Sequence, residues 1–244
     1  SFTTALTVTD VTFNNDGTVM YLADDGTDMI RQYNLATAFD ITTAAFNGQF
    51  DHALSDQDVK GVTFNNDGSK MYLVGQENNL VFEFDLILNF NVVGAAFNGA
   101  TLDLTGPQFA PDLIVQPDGL IFNDDGSKLY VVDADTDNVF EIELGVKYDM
   151  RSPILSVERL NIAAESTAPS DIAFNQDGTK FFILDRGNKS LFEYSLTVAY
   201  DLTTLTGYTG NSFNFTTEEN FPEGFEFNSD GSKIFMVGTG DNAV

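Results

Sequence analysis

Phe64-Asn65-Asn66-Asp67-Gly68-Ser69-Lys70-Met71-Tyr72 decides the reading of this chain, because the stretch comes back. Its core, Phe-Asn-x-Asp-Gly-Ser/Thr, also begins at Phe13, Phe122, Phe174 and Phe227, at spacings of 51, 58, 52 and 53 residues. A fixed period near fifty residues marks a repeat architecture in which each copy is one supersecondary unit. Within each copy the Asp-Gly pair predicts a hairpin turn. Asp accepts local backbone hydrogen bonds, and Gly takes the positive φ that the turn requires. Upstream, Val11-Thr12-Phe13 and Val62-Thr63-Phe64 predict a first strand. Downstream, dense apolar runs such as Met71-Tyr72-Leu73-Val74 and Leu129-Tyr130-Val131-Val132 predict a second strand buried on both faces. A third strand alternates with period two in Phe82-Glu83-Phe84-Asp85-Leu86 and Phe140-Glu141-Ile142-Glu143-Leu144, so one of its faces is covered and the other wetter. An aromatic followed by Asp or Asn then recurs (Phe39-Asp40, Phe90-Asn91, Tyr148-Asp149, Tyr200-Asp201), and a weaker fourth strand is predicted around 45–54, 96–104, 154–162 and 211–217. No segment keeps a helical period.

Four antiparallel strands about every fifty residues predict an all-β β-propeller. The expectation is one domain over 1–244, with five four-stranded blades and repeats starting near 10, 61, 119, 171 and 224. The ring either closes within the chain or belongs to a longer or incompletely closed array. The pattern Phe-x-x-Asp-Gly-Ser/Thr-Lys-apolar-aromatic, seen over 64–72, 122–130, 174–182 and 227–235, resembles the WD40-like or YVTN-like propeller repeats of bacterial surface proteins and phage particles. The first copy departs from it, with Val19 where the others carry Lys70, Lys128, Lys180 and Lys233. The resemblance implies a propeller fold and no particular chemistry, since propellers host many unrelated activities. At the ends, residues 240–244 align with the start of a third strand, and residues 1–6 can supply at most part of a fourth.

The chain has 37 acidic and 11 basic residues and a net charge of −26, a field that repels phosphate backbones and anionic lipid. Nucleic acid and membrane insertion are therefore not expected. A salty extracellular medium, divalent cations or a cationic partner suit the charge, and so does solubility alone. No cysteine is present, which excludes disulfides, thiolate metal sites and cysteine nucleophiles. No apolar run approaches the ~20 residues that cross a bilayer as a helix. The first residue is Ser1 and no signal peptide is seen, which reads as a processed product or an excised piece.

Strand parity places the Asn-x-Asp-Gly and aromatic-Asp turns on one face of the ring and the irregular loops after the second strands on the other. Those irregular loops vary between copies, as a binding surface grafted on a scaffold would, or as unconstrained loops do. They supply the candidate ligand-binding residues Asp25, Asp28, Glu77 and Arg186. Arg31 joins them because it stands where the other repeats have Phe82, Phe140 and Phe192, and a cation there either snorkels at a blade edge or meets an anionic group. Phe109 joins them from the insertion of the third repeat, where it is either an exposed aromatic or buried under the loop. Asp133-x-Asp135-x-Asp137 resembles the opening of a calcium loop, although the later Gly and distal Glu of an EF-hand are missing; it is either a cation site or an acidic turn.

His52 is the single histidine, so no multi-histidine metal site can form within one chain. No catalytic constellation stands out. The expected function is therefore a noncatalytic extracellular, cell-surface or virion module for adhesion, recognition or assembly, binding a protein or glycan surface or its own copies. The alternative is a carboxylate-dependent glycan hydrolase or lyase on a propeller scaffold.

Overall fold

The computed structural model describes residues 7–240. Its first sheet is β1 (Val8–Phe13), β2 (Val19–Asp24), β3 (Met29–Leu35) and β4 (Ala44–Asp51). The second is β5 (Val59–Phe64), β6 (Lys70–Gly75), β7 (Leu80–Asp85) and β8 (Ala96–Asp103). The third is β9 (Pro117–Phe122), β10 (Lys128–Asp133), β11 (Asn138–Leu144) and β12 (Ile154–Asn161). The fourth is β13 (Pro169–Phe174), β14 (Lys180–Asp185), β15 (Ser190–Leu196) and β16 (Leu205–Asn214). A fifth, two-stranded sheet is β17 (Pro222–Phe227) with β18 (Ile234–Gly238). Each sheet is an antiparallel meander in sequence order. The innermost strands meet around an axis: β5 packs between β1 and β9, β13 between β9 and β17, and β17 returns to β1. The fold is a β-propeller.

Among the described residues the expectation of five four-stranded blades is corrected to four four-stranded sheets and one two-stranded sheet. The alignments made for residues 1–6 and 241–244 lie outside the described residues. The fourth strand of the fourth sheet begins at Leu205, six residues before the sequence pattern placed it.

The repeated motif earns its residues in the turn. Asn65 Oδ1 accepts the Lys70 N–H (2.9 Å) and Asp67 Oδ1 accepts the Ser69 N–H (2.9 Å). Gly68 holds φ +69°, and a Cβ there would lie 2.2 Å from the ring of Phe90. Gly17, Gly126 and Gly178 are covered in the same way by Phe39, Tyr148 and Tyr200, whereas a Cβ on Gly231 would meet nothing within 4 Å. Gly68→Ala therefore adds a clash to backbone strain and is expected to cost about 3 kcal/mol, against about 1 kcal/mol for Gly231→Ala. Urea unfolding of the two variants checks this, and equal losses would contradict it.

Neighbouring sheets are joined at their outer halves by a repeated pair of polar contacts. The hydroxyls of Tyr21, Tyr72 and Tyr130 donate to the carbonyls of Phe90, Tyr148 and Tyr200 on the next sheet (2.5, 2.6 and 2.6 Å). Gln32, Glu83 and Glu141 accept the backbone N–H of Val92, Met150 and Leu202 (2.9, 2.9 and 2.8 Å). Apolar side chains fill the space between sheets, as where Tyr72, Val74, Leu120, Phe122 and Leu129 pack together.

A carboxylate latch organises the opposite face. Asp24, Asp133 and Asp185 end their second strands fully buried and accept backbone N–H groups from the loop before the first strand: Thr7 (3.0 Å), Gln116 (2.8 Å) and Ala168 (3.2 Å). In the second and fifth sheets the strand ends in Gly75 and Gly238 instead. There the preceding loop supplies the acid. Asp56 accepts from Asp58 (2.8 Å) and Asn78 (3.2 Å), and Glu219 accepts from Phe221 (2.8 Å). A Cβ on Gly75 would stand 2.4 Å from the Asp56 carboxyl carbon, and one on Gly238 2.6 Å from that of Glu219.

Candidate active site

Every innermost strand carries a β-bulge near its start. Pairing with the second strand skips Thr9, Lys60, Ser170 and Glu223 in four sheets and breaks across Asp118 in the third. A bulge leaves the extra residue unpaired and re-aims its side chain, and bulges recur next to active sites. All five residues are polar or charged, and each stands four residues before the Phe of its repeat motif. They gather at the mouth of the axis, on the face of the irregular loops.

In four of the five sheets the residue after the second strand reaches this ring. Gln76 Nε2 donates to Asp118 Oδ1 (3.0 Å), and Lys60 Nζ lies 3.8 Å from Asp25 Oδ2 and pairs with Asp58. Arg186 spans the mouth: one guanidinium nitrogen meets Asp118 Oδ2 (2.5 Å) and the other Glu223 Oε2 (2.7 Å). Thr239 Oγ1 donates to Glu223 Oε1 (3.5 Å). Two carboxylates, Asp118 and Glu223, and two cations, Lys60 and Arg186, drawn from four sheets thus face one another.

Asp118 is 2% exposed. Burial pushes its pKa up to about 7, the charge of Glu223 adds to the rise, and Arg186 and Lys60 oppose it. Burial works against the Arg186 cation, yet Asp118 and Glu223 outweigh it and hold the guanidinium above its ordinary value. Lys60 is likewise penalised by burial and held up by Asp58 and Asp25. A carboxyl group titrating near neutrality beside fixed cations can take a proton from water and return it, while the cations stabilise developing negative charge.

Below the mouth the innermost strands carry two buried acids. Asp10 accepts the N–H groups of Val11 (2.7 Å) and of Val62 on the neighbouring strand (2.7 Å), and Asp171 accepts those of Ile172 (2.8 Å) and Phe225 (2.8 Å). Their side chains fit because Gly224 and Gly119 stand opposite, where a Cβ would come within 2.8 Å of Asp10 and 2.3 Å of Asp171. Burial raises both pKa values well above the usual carboxylate range; the charge of Glu226 adds to the rise at Asp10, and that of Asp10 to the rise at Asp171. At the far end, on the turn face, a cavity of about 580 Å³ is lined by Glu226, Asp177, Tyr200, Phe182, Phe227 and Gly231, among others. Burial raises Glu226 to about 7.

Of the residues singled out in the sequence, Asp25 and Arg186 lie at the mouth. Asp28 serves its turn, with φ 56°. Glu77 is exposed and accepts the Gln57 N–H (2.9 Å). Arg31 is committed to the chain's own groups, donating to buried Asp24 (2.9 Å) and to Thr27 (3.0 Å), so it is not a free cation. Of the two readings of Phe109, exposed or buried under the loop, the exposed one is corrected: it is 2% exposed, with its ring 6.2 Å from that of Phe140. Asp133 does not turn to a shared cation with Asp135 and Asp137. Its oxygens accept from Gln116 and Thr136, and among the described residues no group of three acids or histidines is placed to hold a metal. His52 is buried with Nδ1 against the Asp56 carbonyl (2.8 Å), where the other repeats carry Leu104, Ile162 and Phe215. Sequence reasoning missed Lys60, Asp118 and Glu223. A column of five different polar residues at one offset in an otherwise regular strand was the signal that could have found them.

No family model matches the chain, and no curated protein matches it by sequence. Solved structures do match. A Bacteroides uniformis protein described as a candidate 6-phosphogluconolactonase superposes with a TM-score of 0.57 at 16% identity, over 94% of this chain and 64% of that one. The periplasmic gluconolactonase of Pseudomonas aeruginosa gives 0.51 at 19% identity, over 95% and 57%. Kuenenia stuttgartiensis hydrazine synthase gives 0.56 at 13%, over 96% and 56%. At these identities the likeness establishes the fold alone, and the chain spans 56–64% of the length of these proteins. The expectation of a noncatalytic module that is not an enzyme is nevertheless corrected. Propellers named as lactonases are among its structural neighbours, and the mouth holds the acid–base cluster that the sequence reading did not find.

Proposed function

We propose that the chain is a carboxylate-dependent hydrolase that opens a sugar-derived lactone at the axial mouth. The observation that carries this reading is the Asp118–Arg186–Glu223 bridge with Lys60 beside it. Asp118 in its ionised form takes a proton from a water as that water attacks the lactone carbonyl. The tetrahedral oxyanion forms against Arg186 and Lys60. Collapse breaks the bond to the ring oxygen, which receives the proton back from Asp118, so one water is consumed and a hydroxy acid is released. Glu223 orients Arg186. The product is an anion, and the net charge of −26 favours its departure.

Both cations of the mouth are already paired with carboxylates, which favours an uncharged lactone over a phosphorylated one. A periplasmic or extracellular setting is part of the proposal, supported by the acidic surface and by the periplasmic neighbour. Acid release from glucono-δ-lactone and its 6-phosphate, measured at constant pH above the spontaneous rate, tests the reading. Hydrolysis of the unphosphorylated lactone in preference is the expected result. No acceleration across a panel of aldonolactones would refute it.

A further inference from the structure

Three neighbouring strands of the second sheet place a lysine and an asparagine on the same pair of acids. Lys70 opens β6, Glu83 and Asp85 share one face of β7, and Asn98 stands on β8. Lys70 Nζ donates to Glu83 Oε1 (2.5 Å) and to Asp85 Oδ1 (2.9 Å). Asn98 Nδ2 donates to the same two oxygens, at 2.7 and 3.0 Å. The amine and the side-chain amide are thereby held side by side, each within one hydrogen bond of either acid. Glu83 is fully buried, and its second oxygen is fixed by the Met150 N–H (2.9 Å).

A β-bulge makes this arrangement. The pairing of β7 with β8 passes from Phe84–Phe97 to Glu83–Ala100, so Asn98 and Gly99 are extra residues, and Gly99 takes φ +85°. The bulge turns Asn98 over the acids. It also brings the Ala100 N–H onto Asn98 Oδ1 (2.9 Å), the atom where negative charge develops when a nucleophile adds to Asn98 Cγ. The other sheets complete the set less fully. The first has Val19 in place of the lysine. In the third, Lys128 meets Glu141, but the residue opposite that acid is Glu158. In the fourth, Lys180 and Asn211 share Glu193 at 3.1 and 3.0 Å, with Asn211 exposed.

We propose that Lys70 and Asn98 join in an intramolecular amide bond, with Glu83 and Asp85 as proton carriers, so that β6 is stitched to β8 across β7. Lys70 passes one proton to Glu83, and the freed Nζ attacks Asn98 Cγ. The oxyanion forms against the Ala100 N–H. Nζ gives a second proton to Asp85, Glu83 protonates Nδ2, and the bond between Cγ and Nδ2 breaks. Ammonia leaves and takes the proton from Asp85, departing as ammonium. Both carboxylates are restored and nothing is oxidised or reduced. The chain loses one ammonia and one positive charge. Burial works against the Lys70 cation, yet Glu83 and Asp85 hold it above its ordinary value, so the free amine is the minority form and closure is slow. The fold offsets this by holding the reacting groups together.

The intact mass of the purified chain, aged at neutral pH until it no longer changes, is the measurement. The expected result is a mass below that of the sequence by one ammonia, with Lys70 and Asn98 recovered in one branched peptide after digestion. Lys70→Arg keeps a cation for both acids but offers no amine, and Glu83→Gln keeps an acceptor for the Met150 N–H but removes a proton carrier. Both variants are expected to retain the full mass; if either does not fold, the branched peptide of the unaltered chain decides alone. A mass equal to that of the sequence overturns the proposal. So does loss of ammonia that persists in Lys70→Arg and yields no branched peptide, which would assign it to closure of Asn98 on the Gly99 nitrogen.

Discussion

Asp118→Asn is expected to lower kcat for lactone opening by about two to three orders of magnitude while leaving the fold intact. The substitution keeps an oxygen for the Gln76 amide, which donates at 3.0 Å, and removes the group that accepts and returns the proton. Because burial raises Asp118 to about 7, the reactive ionised form is the minority species below neutrality. kcat/KM of the unmodified protein should therefore climb as pH rises and level off above about pH 7, and that inflection should vanish in Asp118→Asn. Arg186→Lys tests the clamp separately, because a single ammonium cannot bridge Asp118 and Glu223 as a planar fork does. A pH profile unchanged by Asp118→Asn would remove Asp118 from the reaction.

A second large effect concerns stability. Asp10, Asp171, Asp118 and Glu226 all have raised pKa values in the folded chain, burial being the first cause in each case. The native state then holds more protons than the unfolded chain between about pH 4 and about pH 7, so stability falls as pH rises through that window. Below it the trend reverses. Asp16, Asp67, Asp177 and Asp230 are held below the usual carboxylate range by Thr18, Ser69, Thr179 and Ser232, and their contribution is lost on protonation. Maximum stability is expected near about pH 4, with a melting temperature lower by about 5 °C or more at pH 8. Glu226→Gln keeps the bonds to Phe227 and Thr12 while removing one of the titrating groups, and should flatten the slope. Repeating the melts in about 0.5 M salt separates this from screening of the net charge, since buried protons respond little to ionic strength. A melting temperature that rises steadily from pH 5 to pH 8 would contradict the account.

The sequence made the scaffold legible because each copy repeats the same turn chemistry. Asn65 and Asp67 are bound to the backbone they cap, and Gly68 sits where a ring leaves no room for Cβ. The site was legible only in part. Arg186 and Asp25 stood out because they occupy irregular loops. Lys60, Asp118 and Glu223 did not, because they look like ordinary strand residues until a bulge, which depends on register with the neighbouring strand, turns them to the mouth. Asp133 misled for a related reason. Its spacing with Asp135 and Asp137 is that of a cation loop, but the carboxylate is consumed by N–H and hydroxyl groups that sequence spacing does not reveal.

The carboxylate latch bears on how such an array can be duplicated and shuffled. The acid comes from Asp24, Asp133 or Asp185 at a strand end, or from Asp56 or Glu219 in the loop ahead of the sheet, and where the loop supplies it the strand end is glycine. Swapping sheets alone would bring two acids together in one chimera and none in another. The heritable unit is therefore the sheet with its leading loop, and crossover points that preserve stability should fall before residue 56 and its counterparts rather than at the first residue of the strand.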